Sequence, residues 1–422
     1  MQQQRTVMIA TGIECSYPTV ENGKRRDLLA ETGHYERWKE DFQLCREIGA
    51  RYVRYGPPYY KIHTGPHQYD WSATDLVLPV MRDMGLVPIL DLCHFGVPDW
   101  VGNFQNEDWP ELFADFADAF AQRYPWIVYY TPVNEILVCA RFSGKQGIWN
   151  EQQKSDKAMI AAHKNMCKAT LLAIERILRH RPDAVFFQSE AAEAFHEQWP
   201  ETHDQVRHLN ELRFLTFDFL YGHPPNGDVL LYLMEAGATK HDFQWFMEHG
   251  RKAAPHCVMG MDYYGANERV VQPDGSEKEA GPILGWSAIA RAHYERYRRP
   301  MMLTETNTLD PEGGPDWLWK TWHNVQSART DGVPVVGFTW YSLTDQVDWD
   351  IQLREIRGKV NANGLFDLER RPHPVASAFR DLVNRYQDRP VLEDFPIGSM
   401  PGGLACEPAA DSAAPLNNGG TR

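Results

Sequence analysis

The sequence contains no Cys-x-x-Cys, no Gly-rich phosphate turn, no block of Lys and Arg interleaved with aromatics, and no apolar run of membrane-spanning length. Each absence removes a class of function. The seven cysteines (Cys15, Cys45, Cys93, Cys139, Cys167, Cys257 and Cys406) are scattered and odd in number, which argues against a disulfide framework or a zinc site. They read as small buried hydrophobes of a reducing compartment. Without G-x-G-x-x-G or a P-loop, an open nucleotide-binding sheet loses its usual signature. A net charge of −14 disfavours nucleic acid and anionic membranes as partners. Residues 1–5 (Met-Gln-Gln-Gln-Arg) lack the apolar stretch of a signal peptide, so a cytoplasmic location is the expectation. No cofactor and no metal are expected, and the sequence specifies no oligomeric state.

What is present is aromatic and periodic. The chain has 14 Trp and 18 Tyr, flat amphipathic rings suited both to cores and to the faces of sugars. Short apolar runs at 7–10, 52–55, 87–92, 127–131, 184–188, 258–263, 301–304 and 335–340 alternate with stretches of helical spacing. Trp38, Phe42, Cys45 and Ile48 share one helical face; Leu112, Phe113, Phe116 and Phe120 share another. Eight strands, each followed by a helix, predict an α/β fold: a (β/α)8 TIM barrel, single-domain over residues 1–388, with extended βα loops at 140–157 and 191–217. Residues 389–422, rich in Pro, Gly, Ala and Asn, read as a flexible tail.

In such a barrel the chemistry sits at the C-terminal ends of the strands. Glu135 follows the fourth run through Thr131-Pro132-Val133-Asn134, and Glu305 ends the seventh. Strands 4 and 7 lie across the mouth from each other. Two carboxyl groups facing across a mouth suit glycosidic bond cleavage, with retention at a separation of about 5–5.5 Å and inversion at about 6.5–9.5 Å.

Several segments resemble glycoside hydrolase family 1, the β-glucosidase and β-galactosidase family of the 4/7 barrel superfamily (clan A). His34-Tyr35-Glu36-Arg37-Trp38-Lys39-Glu40-Asp41 resembles its H-Y-x-R-Y-K-E-D, and Pro88 to Phe95 resembles P-x-x-T-L-x-H-W. Tyr129 to Glu135 is similar to Y-W-x-T-F-N-E, and Gly260-Met261-Asp262-Tyr263-Tyr264 to G-L-N-Y-Y. Thr304-Glu305-Thr306-Asn307 stands where the family has T-E-N-G, and Trp340 to Trp349 resembles V-W-S-L-L-D-N-F-E-W. The likeness runs from about residue 8 to 385.

The resemblance implies a retaining β-glycosidase, exo-acting on a β-glycoside or oligosaccharide, with Glu135 as general acid/base and Glu305 as nucleophile. It further implies that Arg54 and Tyr264 orient Glu305, that Asn134 and His94 bind sugar hydroxyls, and that Trp340, Tyr341 and Trp349 stack on the sugar. Departures cluster around the sugar pocket. Glu14 takes the region of a sugar-binding Gln, and Asp348 replaces the Glu that clamps the 4- and 6-hydroxyls. Phe95 replaces a Trp and Asp262 an Asn. These changes point away from a conventional glucose or galactose preference. The alternatives are an endo-acting polysaccharide hydrolase of the same superfamily, a non-hydrolytic carbohydrate-binding protein, and a metal-dependent barrel hydrolase. Two facing glutamates argue against the second, and the lack of His-x-His spacing against the third.

Overall fold

The computed structural model describes residues 6–387. The tail expected at 389–422 lies outside the described residues, as does position 388, where the barrel was expected to end. Eight parallel strands close into a barrel: β1 (Met8–Gly12), β2 (Tyr52–Tyr55), β3 (Val87–Asp91), β4 (Tyr129–Thr131), β5 (Val185–Ala191), β6 (Cys257–Asp262), β7 (Met301–Leu303) and β8 (Val335–Trp340). The expected single-domain (β/α)8 barrel is the observed fold. Neighbours in sequence are neighbours in space, and β1 seals the ring against β8 with Met8 opposite Gly337. The strands are buried on both faces, so they read as continuous apolar runs rather than alternating ones.

The outer ring is built from α1 (His34–Glu47), α2 (Ser72–Asp83), α3 (Trp109–Arg123), α4 (Ile136–Ala140), α5 (Asp156–His180), α6 (Leu215–Tyr221), α7 (Lys240–Ala253), α8 (Trp286–Tyr297), α9 (Gly314–Thr330) and α10 (Pro374–Tyr386). The buried face of α1 carries Trp38, Phe42 and Cys45, and that of α3 carries Phe113, Phe116 and Phe120, as their spacing predicts. Each buried Phe contributes about 1.5–3 kcal/mol of transfer free energy. Pro110 opens α3, where its missing N–H costs nothing, and Ser155 caps α5 by accepting from Ala158 N.

The two long segments differ from the expectation of loops. Residues 191–217 hold a short strand (Ala194–His196), a helix (His203–Leu212) and the start of α6. After α4 the chain makes a wide turn at Arg141–Lys145 before reaching α5. Both segments stand over the C-terminal mouth of the barrel and supply residues to its wall.

Candidate active site

Glu135 owes its position to two backbone bonds made as the chain leaves β4. Asn134 N donates to Cys93 O at 3.0 Å, and Glu135 N donates to Ser189 O at 3.0 Å, tying the segment to both neighbouring strands. Glu135 itself sits at φ +39°, ψ +63°, a left-handed conformation that costs a non-glycine residue about 1–3 kcal/mol. Its carboxyl group is pushed well above the usual range. Burial is the first cause, followed by repulsion from Asp262, Glu305 and Glu190. These surroundings favour its protonated form.

Glu305 has the opposite surroundings. Arg54 donates to Oε1, and the Tyr264 hydroxyl donates to Oε2 at 2.6 Å. Arg54 is 2% exposed and also donates to Asp91 Oδ2 at 2.7 Å and to Asn134 Oδ1. Because Asn134 spends its oxygen on Arg54, its amide nitrogen faces His94 Nε2 at 3.1 Å, which must then accept. His94 carries its proton on Nδ1 and gives it to Asp91 Oδ2 at 2.8 Å. Arg54, Asn134, His94 and Asp91 thus close a ring of hydrogen bonds beneath the nucleophile candidate. Cys15 Sγ lies 3.5 Å from His94 Nδ1, and the donor atoms of Cys15, Asp91 and His94 fall within 4.8 Å of one another. The Arg54 cation on Asp91 opposes a second cation there, so these side chains read as the outer part of the ring.

Asp262, from the end of β6, accepts from Ser189 Oγ at 2.7 Å and from Thr304 Oγ1 at 2.6 Å. Burial and then Glu305 push its carboxyl group well up. Three carboxyl groups this close cannot all ionise. Of the three, Glu305 is the one that accepts from the Arg54 guanidinium.

These groups open into a cavity of about 380 Å³. Of the residues singled out in the sequence, His94, Glu135, Tyr264, Glu305, Tyr341 and Trp349 line it. Arg54 and Asn134 sit directly under it. The remaining three lie away from the cavity lining. Asp348 is fully buried and turned away: its carboxylate accepts from the backbone N–H of Arg357, Gly358 and Lys359 at 2.8–3.0 Å and from Arg26 at 3.2 Å. Burial alone would raise its proton affinity, but these amides and Arg26 outweigh it and hold the carboxyl group low. Glu14 lies behind the wall, accepting from Gln346 Nε2, from Trp349 Nε1 at 3.0 Å and from Ser16 N at 2.9 Å. Trp340 is packed in the core with Nε1 donating to Asn363 O at 3.2 Å.

Residues 17–227, half of the 422-residue chain, match the family described as Glycosyl hydrolase family 1. The chain belongs to glycosyl hydrolase family 1. This hydrolase is 18% identical over 372 residues to Beta-glucosidase A of Thermotoga maritima, covering 78% of this chain and 81% of the relative. A 154-residue stretch is 26% identical to 6-phospho-beta-glucosidase AscB of Escherichia coli K12, covering 34% of this chain and 32% of that one. The fold superposes on a beta-glucosidase structure from Thermotoga maritima with a TM-score of 0.76 at 17% identity, covering 91% and 98% of the two chains.

The hydrolase also presents pocket residues that its sequence did not single out. Gln346 and Asn363 form an amide wall, joined to each other and to Asn307. Gln346 stands two residues before Asp348, within a motif already noted, but the side-chain direction depends on the turn that follows. Arg141, Glu193 and Arg269 line the pocket near Glu135; Arg141 grips Glu193 with two bonds of 2.7 and 2.6 Å. They come from the two long segments and from the strand after β6, where no spacing rule applies.

Proposed function

We propose that this glycoside hydrolase is a retaining, exo-acting β-glycosidase. The observation that carries the reading is the contrast between the two glutamates: Glu135 is buried beside other carboxyl groups that raise its proton affinity, while Glu305 is held by Arg54 and Tyr264. In this reading Glu305 attacks the anomeric carbon while Glu135 gives its proton to the departing oxygen. Glu135 then takes a proton from water, which displaces Glu305 from the glycosyl-enzyme. Asn134, beneath the pocket, is placed for the sugar 2-hydroxyl, and Tyr341 and Trp349 supply ring faces. Exo action accords with a cavity of about 380 Å³ whose sugar end is walled by Phe95, Tyr341, Gln346 and Trp349. The six described cysteines are free and buried, which accords with a reducing, cytoplasmic location.

The test is azide rescue on an activated aryl β-glycoside. Glu305→Gly should lose nearly all activity and, with azide, yield a glycosyl azide of inverted configuration. Glu135→Ala with azide should yield the retained β-azide. A first-formed sugar of inverted configuration in proton NMR of the unaltered enzyme would overturn the reading.

A further inference from the structure

Glu190, on β5, is a buried carboxyl group that the proposed chemistry does not use. It is 2% exposed, and its partners are hydrogen-bond donors rather than a cation. Oε2 accepts from Leu137 N at 2.8 Å and from Thr216 Oγ1 at 2.7 Å, and Oε1 accepts from Ala191 N at 3.2 Å. Leu137 lies two residues beyond Glu135, at the start of the five-residue helix α4. The left-handed backbone of Glu135 is therefore held on one side by Ser189 O and on the other by the Glu190 carboxylate.

We propose that Glu190 is a positioning residue for Glu135, holding the acid/base side chain at the mouth through Leu137 N–H. The inference rests on the acid/base role given to Glu135 above.

A chain of hydrogen bonds lets this anchor persist in either protonation state. Thr216 Oγ1 gives its proton to Glu190, and His163 Nε2 lies 3.1 Å behind it. Burial keeps His163 neutral, with its pKa down to about 3. With Glu190 ionised, protons point from His163 Nε2 to Thr216 to Glu190. With Glu190 protonated, both bonds reverse, and His163 carries its proton on Nδ1, 3.9 Å from Cys167 Sγ, while Leu137 N still donates to Glu190. Burial pushes the Glu190 carboxyl group up to about 7, so both states occur near neutrality. The ionisable groups around it are Glu135, Glu193, Arg141 and the thiols of Cys139 and Cys167. The ionised form adds to the repulsion that keeps the Glu135 proton in place.

The experiment measures kcat/KM against pH for a dinitrophenyl glycoside, which leaves without acid help, and for an alkyl glycoside, which needs it. Glu190→Gln keeps an acceptor for Leu137 N but removes the charge. Loss of that charge lowers the proton affinity of Glu135, so the basic limb should move to lower pH by roughly 0.5–1 unit. Glu190→Ala should lose roughly 10–100-fold on the alkyl glycoside and only several-fold on the dinitrophenyl one. Should the alanine variant fail to fold, Glu190→Gln and Thr216→Val decide, the latter with a smaller loss of the same pattern. Equal losses on both substrates, or an unmoved basic limb in Glu190→Gln, overturn the inference. Glu135→Gln is the control. If it does not discriminate between the leaving groups, the acid/base assignment itself falls; if it does and the Glu190 variants do not, only this inference falls.

Discussion

Tyr264 gives Glu305 its second hydrogen bond, its hydroxyl donating to Oε2 at 2.6 Å. A hydrogen bond to a charged group contributes about 1.5–3 kcal/mol. Tyr264→Phe should therefore cost roughly 10–100-fold in kcat/KM, with little change in melting temperature because the ring is only half-buried. Steady-state kinetics beside a thermal melt separates the two; an equal loss of stability would make Tyr264 a structural residue instead. At this scale the strand-end rule singled out Glu135 and Glu305, and the structure brings both to the cavity with Arg54 and Asn134 beside them, because short strands leave little freedom at their ends. Glu14, Trp340 and Asp348, which the resemblance placed at the sugar, lie away from the cavity lining. Asp348 sits at φ +58°, which its residue type permits and its neighbours in sequence do not announce.

At the scale of elements, the turn that buries Asp348 carries Trp349 into the pocket. Three successive backbone N–H groups at 357–359 converge on one carboxylate, an anion-binding concavity whose occupant is supplied by the chain itself. Arg26, also fully buried, donates to Oδ2 of that carboxylate and has Glu31 and the Glu355 carbonyl as further partners. Asp348→Ala should leave the amides and half of the Arg26 charge unpaired, a cost of roughly 2–4 kcal/mol. Urea unfolding would register the loss, and KM should rise more than kcat falls, since Trp349 is displaced while the glutamates are not. A variant with unchanged KM would separate this turn from the pocket. The helices α1 and α3 were legible because periodic apolar residues report a single face. The segments at 140–157 and 191–217 were legible only as long insertions. Their pocket contributions, Arg141 and Glu193, meet through tertiary contacts that no local pattern encodes.

The whole molecule depends on closing one seam. β1 and β8 are joined only by pairing across the ring, with no connecting helix between them, and Gly337 lies opposite both Met8 and Met302. A Cβ at 337 would come within 2.7 Å of Met8 O and 3.0 Å of Met302 Sδ. The methionine thioether can move, but the β1 carbonyl is fixed by the ladder it serves. Barrel order was readable from eight alternating runs; the tightness of this seam was not, because a glycine inside an apolar run has several uses. Gly337→Ala should cost about 1–3 kcal/mol through overpacking, and Gly337→Val more. Gly227→Ala is the matched comparison: it sits at the first turn of a helix with nothing within 4 Å of its added Cβ, so it should be neutral or stabilise by up to about 1 kcal/mol. Urea midpoints for the two alanine variants should therefore move apart, the first downward and the second not. If Gly337→Ala unfolds at the same midpoint as the parent, β1 can withdraw from β8 by enough to admit a methyl group. Closure would then not be the step that limits this barrel's stability.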